Sequence, residues 1–432
     1  MRIYVHTHGC RLNAAESRSL VETLEATGHT VAHGMDPSVD VAVVNSCAVT
    51  NQAESKCRQT IRQIIRTNPG VTLILTGCLA EKNSRECLNF HDRILVLGNS
   101  EKHRLVDHIH ALNLGEKFSK IIRNSLGNTN FEIPCALHQP YNGRYNLKIQ
   151  EGCNFSCSYC IIPRLRGPAC SRNFKNLIED ATIHARQGVR EIILTGVNVG
   201  AYENDGKNLV DVISALNEIP EIQRIRLSSI ELKTIPDEAL SQMANDGNKL
   251  VKYLHLPIQS GSDRILQLMR RHYTIGEAKN YLEWLAKYIP GIGLGTDLIV
   301  GFPGEMEEDF TCSVDLIQNS FLQYAHVFSY SQREGTPAAS MEDRFIDPKE
   351  IERRSKILRI LTREKRRQFY EKFVGTEQEV LFENKSRIGF PGYTENYIRV
   401  IVKGFNEDLT NRLERVKLIR NCDDHILGEV VH

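Results

Sequence analysis

Apolar positions in the first hundred residues change period repeatedly. Residues 3–5 and 71–75 are short apolar runs, and 41–44 is a continuous one, each the length of a buried strand. Between them, residues 13–27 place Leu20 and Leu24 one helical turn apart and stop at Gly28, and residues 53–66 carry a second helical pattern. Such alternation predicts an open parallel sheet with helices on its faces. The functional crevice of such a sheet lies at the carboxyl ends of its strands. Residues 101–140 read as a helix followed by an irregular connector ending near Pro134 and Pro140.

A second alternating region follows. Strand-like runs fall at 145–149, 192–195, 225–228, 253–256, 294–300 and 325–328, with helical patterns at 177–187, 237–244, 275–288 and 307–319. Six β/α units predict a partial barrel, open on one side, with function on the loops after its strands. Residues 347–372 form a charged helical pattern with more basic than acidic positions, which points to a phosphate-facing surface. Beyond Gly375 the runs shorten to 377–382, 397–402 and 415–419, with Gly389-Phe390-Pro391-Gly392 read as a turn; a small all-β barrel fits. The predicted organisation is an N-terminal domain over 1–112, a central barrel domain over 139–370 and a C-terminal barrel over 371–432.

Composition adds little. The net charge of +1 over 432 residues gives no global nucleic-acid signature, so any basic surface is local. No signal peptide and no long apolar run is visible, so no membrane partner is expected. The cytoplasm, which keeps thiols reduced, is the expected location.

The 12 cysteines change the picture. Cys153, Cys157 and Cys160 form Cys-x3-Cys-x2-Cys on one tight loop directly after a predicted strand. A 4Fe–4S cube normally takes four thiolates, so three leave one iron open for a small ligand. A structural zinc site usually shows paired spacing and a fourth ligand, and no His or Cys lies within a few residues to complete one. Cys10, Cys47 and Cys78 each follow an apolar strand and a few small residues, which makes a second triplet at the sheet edge. Cys57, Cys87, Cys135, Cys170, Cys312 and Cys422 lack that context and read as packing or surface thiols.

The loop at 151–160 resembles that of the radical S-adenosylmethionine enzymes. Four further strings extend the likeness: 254–262 (Leu-His-Leu-Pro-Ile-Gln-Ser-Gly-Ser), 269–274 (Met-Arg-Arg-His-Tyr-Thr), 295–305 and 328–339. With both triplets, the chain resembles the methylthiotransferases of that superfamily over nearly its whole length. The resemblance implies an N-terminal methylthiotransferase domain, a radical core and a C-terminal TRAM-type RNA-binding barrel. Residues 9–17 and 45–51 are similar to the branch acting on threonylcarbamoyladenosine at position 37 of tRNA. The isopentenyladenosine branch more typically reads Gly-Cys-Gln-Met-Asn, and the ribosomal-protein branch Gly-Cys-x-Lys-Asn. Cys57 stands where Ser is common and Glu81 where Gln is common; neither removes a ligand.

The resemblance implies two 4Fe–4S clusters and S-adenosylmethionine as cofactors. The cluster on Cys153, Cys157 and Cys160 would reduce the cofactor to a radical; that on Cys10, Cys47 and Cys78 would carry the sulfur. The product would be a methylthio group at C2 of the modified adenosine. Implied partners are the tRNA anticodon stem-loop, an electron donor such as flavodoxin or ferredoxin, and a sulfur source. Tyr159, Gly196, Asn198, Glu231 and Gln259 are candidate cofactor contacts. Gly196 and Asn198 would offer backbone after a strand, Glu231 would accept from the cofactor ribose, and Gln259 with Ser260 would line the same cavity. Asp297 reads as structural, and His6 and His8 as packing or surface residues. Arg11 and Arg333 are both candidates for pairing a substrate carboxylate. The alternatives are methylthiolation of isopentenyladenosine or of a ribosomal-protein aspartate and, in a different class, a non-catalytic iron–sulfur protein that binds RNA or senses redox state.

Overall fold

The computed structural model describes residues 1–112, 117–124, 126, 131–133 and 143–431. Strands β1 (Arg2–Thr7), β2 (Thr30–Ala32), β3 (Val41–Ser46), β4 (Thr72–Gly77), β5 (Arg93–Leu97) and β6 (Phe118–Ile122) form one parallel sheet in the order β2-β1-β3-β4-β5-β6. β3 and β4 are buried at every position, which explains their continuous apolar runs. Helices α1 (Arg11–Ala26), α2 (Asn51–Thr67) and α3 (Cys78–Lys82) follow β1, β3 and β4. α1 begins at Arg11, with Cys10 as its N-cap, two residues before the predicted start. The connector was read as irregular, but it contains β6, whose polar-rich Phe-Ser-Lys-Ile-Ile at the sheet edge gives no continuous apolar run. Pro134, Cys135 and Pro140 lie outside the described residues.

The central region has six parallel strands in two hydrogen-bonded sets. Arg144–Lys148, Glu191–Thr195 and Arg224–Leu227 form one; Tyr253–His255, Gly293–Val300 and Tyr324–Ser329 form the other. Bridges Ile225–Leu250 and Ser229–His255 join them into an open half-barrel. Helix Leu209–Asn217 has no counterpart among the predicted helices, although Asn208 and Asp211 make a capping box at its start. Side chains alternate along the strands. Leu294, Leu298 and Val300 enter the apolar core under the helices, whereas Tyr253, His255, Asp297 and Tyr324 meet one another on the concave face.

After the long helix Pro348–Glu371, five strands close a small barrel around Val380, Phe382, Val400 and Val416. This is consistent with a TRAM-type domain. Phe390–Tyr393, read as a turn, is a strand of this barrel; the turn lies just before it, where Gly389 at φ +130 faces Ser386. The glycine that misled the reading is needed in the strand, because a Cβ on Gly392 would stand 2.5 Å from Val380 Cγ1. The last strand, Ile426–Val430, was not predicted. Among the described residues no helix is long and apolar enough to cross a membrane.

The three bodies touch through specific polar contacts. On one side α1 packs along Arg144–Lys148, and Glu16 bonds Lys148 Nζ at 2.9 Å. On the other, the α2 start meets the loop after the last barrel strand, where Asn51 N–H donates to Ser331 Oγ at 2.9 Å. The N-terminal domain thereby covers the half-barrel's open side. The turn 393–397 of the small barrel covers the strand beginnings: Arg224 and Arg226 donate to the Tyr393 and Glu395 carbonyls at 2.9 Å each. Gly293 admits that turn, since a Cβ there would lie 2.3 Å from Asn396 O.

Candidate active site

β1 and β3 are neighbours whose following connections run to opposite sides, so their carboxyl ends flank the switch point of the sheet. Cys10 and Cys47 emerge there, and Cys78 emerges beside them as the first residue of α3. Gly9, at φ +103, lets Cys47 come close: a Cβ on Gly9 would stand 2.8 Å from Cys47 Sγ. Cys47 and Cys78 are buried and Cys10 is exposed. Burial pushes the Cys47 thiol up to about 11, with Cys78 and Cys10 adding to the rise. Burial also raises Cys78, against the opposing charges of Arg166 and Lys102.

The loop bearing Cys153, Cys157 and Cys160 follows the first half-barrel strand, as predicted. Gly152, at φ +68, is required at its start, because a Cβ there would come 1.9 Å from Pro168 O. Ser158 N–H donates to Met269 O at 3.1 Å, and Ala338 N–H to Ser158 O at 2.8 Å, so two distant segments fix the loop. Burial pushes Cys160 up to about 12, and Cys157 and Cys153 add to it. Burial likewise raises Cys153.

Each triplet thus gathers three thiols on short, glycine-dependent loops, a donor set that would fit an iron–sulfur cluster and would leave one iron without a thiolate. Burial favours the protonated form of Cys47, Cys78, Cys153 and Cys160, so binding a metal group there would release protons. The two sites adjoin. Ile161 and Leu165, directly after Cys160, pack into the same apolar cluster as Ala48 and Cys78. Arg166 in the next turn lies close enough to Cys47 and Cys78 to pull both thiols down, and donates to Asn13 Oδ1 at 2.6 Å.

The predicted cofactor contacts fall around the second loop with different local roles. Glu231 is paired with the buried Arg271, which also donates to Cys157 Sγ at 3.4 Å and Pro257 O at 2.9 Å. Tyr159 packs against the Phe302 cluster, and burial pushes its phenol well up. The backbone after Gly196 is not open as expected: Val197 and Asn198 N–H both donate to Gln150 Oε1 at 2.9 Å. Gly196 itself would set a Cβ 3.0 Å from the same oxygen. The group left over is Asn198 Nδ2, a buried donor with no partner among the described residues. Gln259 adopts φ +77 and carries the strand pairing onward to Asp297 and Ile299. Ser260 does not line the cavity; it is fully buried, and its Oγ accepts from Ser262 N–H.

Several concave-face residues have no functional part in the sequence reading, which takes Asp297 as structural. Asp297 Oδ1 lies 2.9 Å from His255 Nε2 and 3.2 Å from His326 Nδ1, and burial, which would raise its carboxyl, is outweighed by the two imidazoles, which hold it well below the usual range. Tyr253 and Tyr324 share a hydroxyl contact, and Tyr397 stacks on Tyr253 with ring centroids 4.7 Å apart. A polar Asp within an apolar strand, and Tyr253 and His255 two apart on another, were the available signals.

Comparison with known families agrees with this arrangement. Residues 147–317 match the radical SAM superfamily, and residues 2–98 match the uncharacterized protein family UPF0004. The chain is 34% identical over 425 residues to the threonylcarbamoyladenosine tRNA methylthiotransferase MtaB of Bacillus subtilis, covering 96% of this chain and 93% of that protein. The protein of that name from Thermotoga maritima is 32% identical, with 92% and 90% covered. The tRNA-2-methylthio-N(6)-dimethylallyladenosine synthase of Buchnera aphidicola is 31% identical, with 99% of both covered. The radical S-adenosylmethionine methyltransferase TsrM of Kitasatospora setae superposes with a TM-score of 0.57 at 15% identity over 78% of this chain and 77% of that one, a likeness of fold.

Proposed function

The chain belongs to the radical S-adenosylmethionine methylthiotransferases, enzymes that modify tRNA among its relatives, and from that premise we propose that it adds a methylthio group to C2 of N6-threonylcarbamoyladenosine at position 37 of tRNA. The observation that carries the reading is the junction of the two thiol triplets. Cys10, Cys47 and Cys78 come from one domain and Cys153, Cys157 and Cys160 from another, yet Cys78 and Ile161, the residue after Cys160, share one apolar cluster. A single sulfur insertion at an unreactive C–H needs a radical source and a sulfur carrier close together, and two neighbouring thiol triplets support that reading.

Two 4Fe–4S clusters, one on each triplet, and S-adenosylmethionine would together supply radical and methyl-transfer chemistry. The chain's own residues set the surroundings. Arg271 puts a buried positive charge against Cys157 and holds Glu231 in place. Arg166 does the same for Cys47 and Cys78 from across the domain junction. Asn198 Nδ2 offers a fixed donor toward a ligand beside the Gln150-braced loop. The tRNA anticodon stem-loop, a flavodoxin- or ferredoxin-type electron donor and a sulfur source are the partners this reaction requires, and the cytoplasm is its setting.

Nucleoside mass spectrometry of tRNA from cells with and without the gene tests the reading. The methylthio form of threonylcarbamoyladenosine should disappear with the gene, leaving threonylcarbamoyladenosine itself. Loss of methylthio-isopentenyladenosine instead would transfer the chain to the other adenosine branch.

A further inference from the structure

The threonylcarbamoyl substituent carries a carboxylate, which in a partly dry cavity needs a cation. Most cations around the cavity are already engaged. Arg333, one of the two candidates from the sequence, is 2% exposed; it donates to Ala48 O at 3.0 Å and Ser331 Oγ at 2.7 Å, contacts Asn51, and pairs with Glu54. Both terminal nitrogens of its guanidinium are engaged in bracing the two domains, and its Nε, which has no partner among the described residues, is buried. Arg226 is held by Glu191, Lys148 by Glu16 and Glu151, and Arg271 by Glu231.

Arg11 differs. It is exposed, and its Nη2 donates to the neutral Tyr397 hydroxyl at 2.8 Å. Among the described residues no carboxylate pairs with it. Its charge is felt by the phenols of Tyr253 and Tyr324, so it stands over the hydroxyl-lined concave face. It also follows Cys10 directly, which puts any group it holds against the first triplet.

We propose that Arg11 is the specificity-determining residue that binds the carboxylate of the N6-threonylcarbamoyl group, with the Tyr397 hydroxyl of the C-terminal barrel orienting the guanidinium. This rests on the substrate reading above. A hydrocarbon substituent in the same place would desolvate Arg11 without pairing it, so the residue selects against isopentenyladenosine as well as for its own substrate.

The test uses the cluster-loaded full chain and three anticodon stem-loops: threonylcarbamoyladenosine, its carboxamide analogue and isopentenyladenosine. Equilibrium Kd and single-turnover rates are measured for wild type, R11Q and R11K. Wild type should prefer the carboxylate over the carboxamide by about 10²-fold. R11Q should lose that preference by weakening only the carboxylate substrate, and R11K should keep part of it, because a lysine supplies charge without the bidentate fork. Iron content and uncoupled cleavage of S-adenosylmethionine report whether the Cys10 site survives the change; if R11Q loses iron, R11K decides. A wild type blind to the carboxamide, or an R11Q or R11K that discriminates as wild type does, overturns the assignment. A wild type active on isopentenyladenosine RNA and inactive on threonylcarbamoyladenosine RNA overturns the substrate reading instead.

Discussion

Gly9 and Gly152 show how much of each thiol site depends on a missing side chain. Both have positive φ, and at both an added Cβ would collide, with the Cys47 side chain in one case and the Pro168 carbonyl in the other. Gly9→Ala should therefore displace Cys47 and lower iron from about eight to about four atoms per chain, while the Cys153 loop stays loaded. Iron analysis after anaerobic reconstitution reads this directly, and full loading of the variant would remove Gly9 from the argument. The cysteines themselves should separate by function. Cys157→Ala should abolish 5′-deoxyadenosine formation from S-adenosylmethionine. Cys47→Ala should stop methylthiolation and retain part of that cleavage; normal product formation by the Cys47 variant would refute two separate roles.

Helix α1 is the element on which the two domains turn. Its first turn carries Cys10 and Arg11, and its next turns carry Glu16 and Glu22. Glu16 is buried among Lys102 at 2.5 Å, Lys148 at 2.9 Å and Arg166 at 2.8 Å. Burial alone would raise its carboxyl, but the three cations hold it well below the usual range. Glu16→Gln leaves buried positive charge short of a partner and should destabilise the chain by about 3–5 kcal/mol in denaturant unfolding. Further along, His184 is fully buried between Glu22 Oε1 at 3.3 Å and Asp180 Oδ1 at 3.0 Å, with Tyr145 stacked on it. Burial pushes the imidazole down, and the two carboxylates outweigh it and bring it up to about 9. A raised histidine stabilises the fold fully below its unfolded value near 6.5, and that contribution fades as pH rises through about 9. Stability should thus fall by up to about 3 kcal/mol over this window, and His184→Gln should flatten the slope. An unchanged pH profile in the variant would show that the pair is not ionised.

At the scale of the whole molecule, the long helix Pro348–Glu371 has two jobs that its charge pattern blends together. Arg354 is buried against Glu305 at 2.8 Å, Arg353 pairs with Glu307 and Glu350 at 2.7 Å each, and Arg367 with Glu364 at 2.7 Å. Lys365 donates to the Ser320 carbonyl at 2.9 Å. These residues tie the helix to the half-barrel and to itself, which narrows the phosphate-facing surface expected from sequence. Lys356 and Arg363 remain on the exposed face, two turns apart. Reversing both charges should raise the tRNA Kd regardless of tRNA sequence and reduce the salt slope by about one to two. Uncoupled cleavage of S-adenosylmethionine should be unaffected. Unaltered tRNA affinity would leave this face as a solvated one.

The fold class was legible because each region keeps one hydrophobic period: continuous runs where β3 and β4 are covered on both faces, helical spacing between them, short alternating runs at the end. The six cysteines stand out in the sequence because Cys10, Cys47 and Cys78 come just after three strands and Cys153, Cys157 and Cys160 share one loop after a fourth, and a strand's carboxyl end is where a parallel sheet exposes loops. The edge strand β6 and the glycine-bearing Phe390–Tyr393 were not, because their residues answer to neighbours far away in sequence, which a local pattern does not register. The same holds for the site. Only tertiary structure could distinguish Arg333, enclosed by Ala48, Asn51 and Glu54, from Arg11, which among the described residues meets the Tyr397 hydroxyl and no carboxylate. Charge type is written in the residue, but whether that charge is already paired is decided by the domains that close around it.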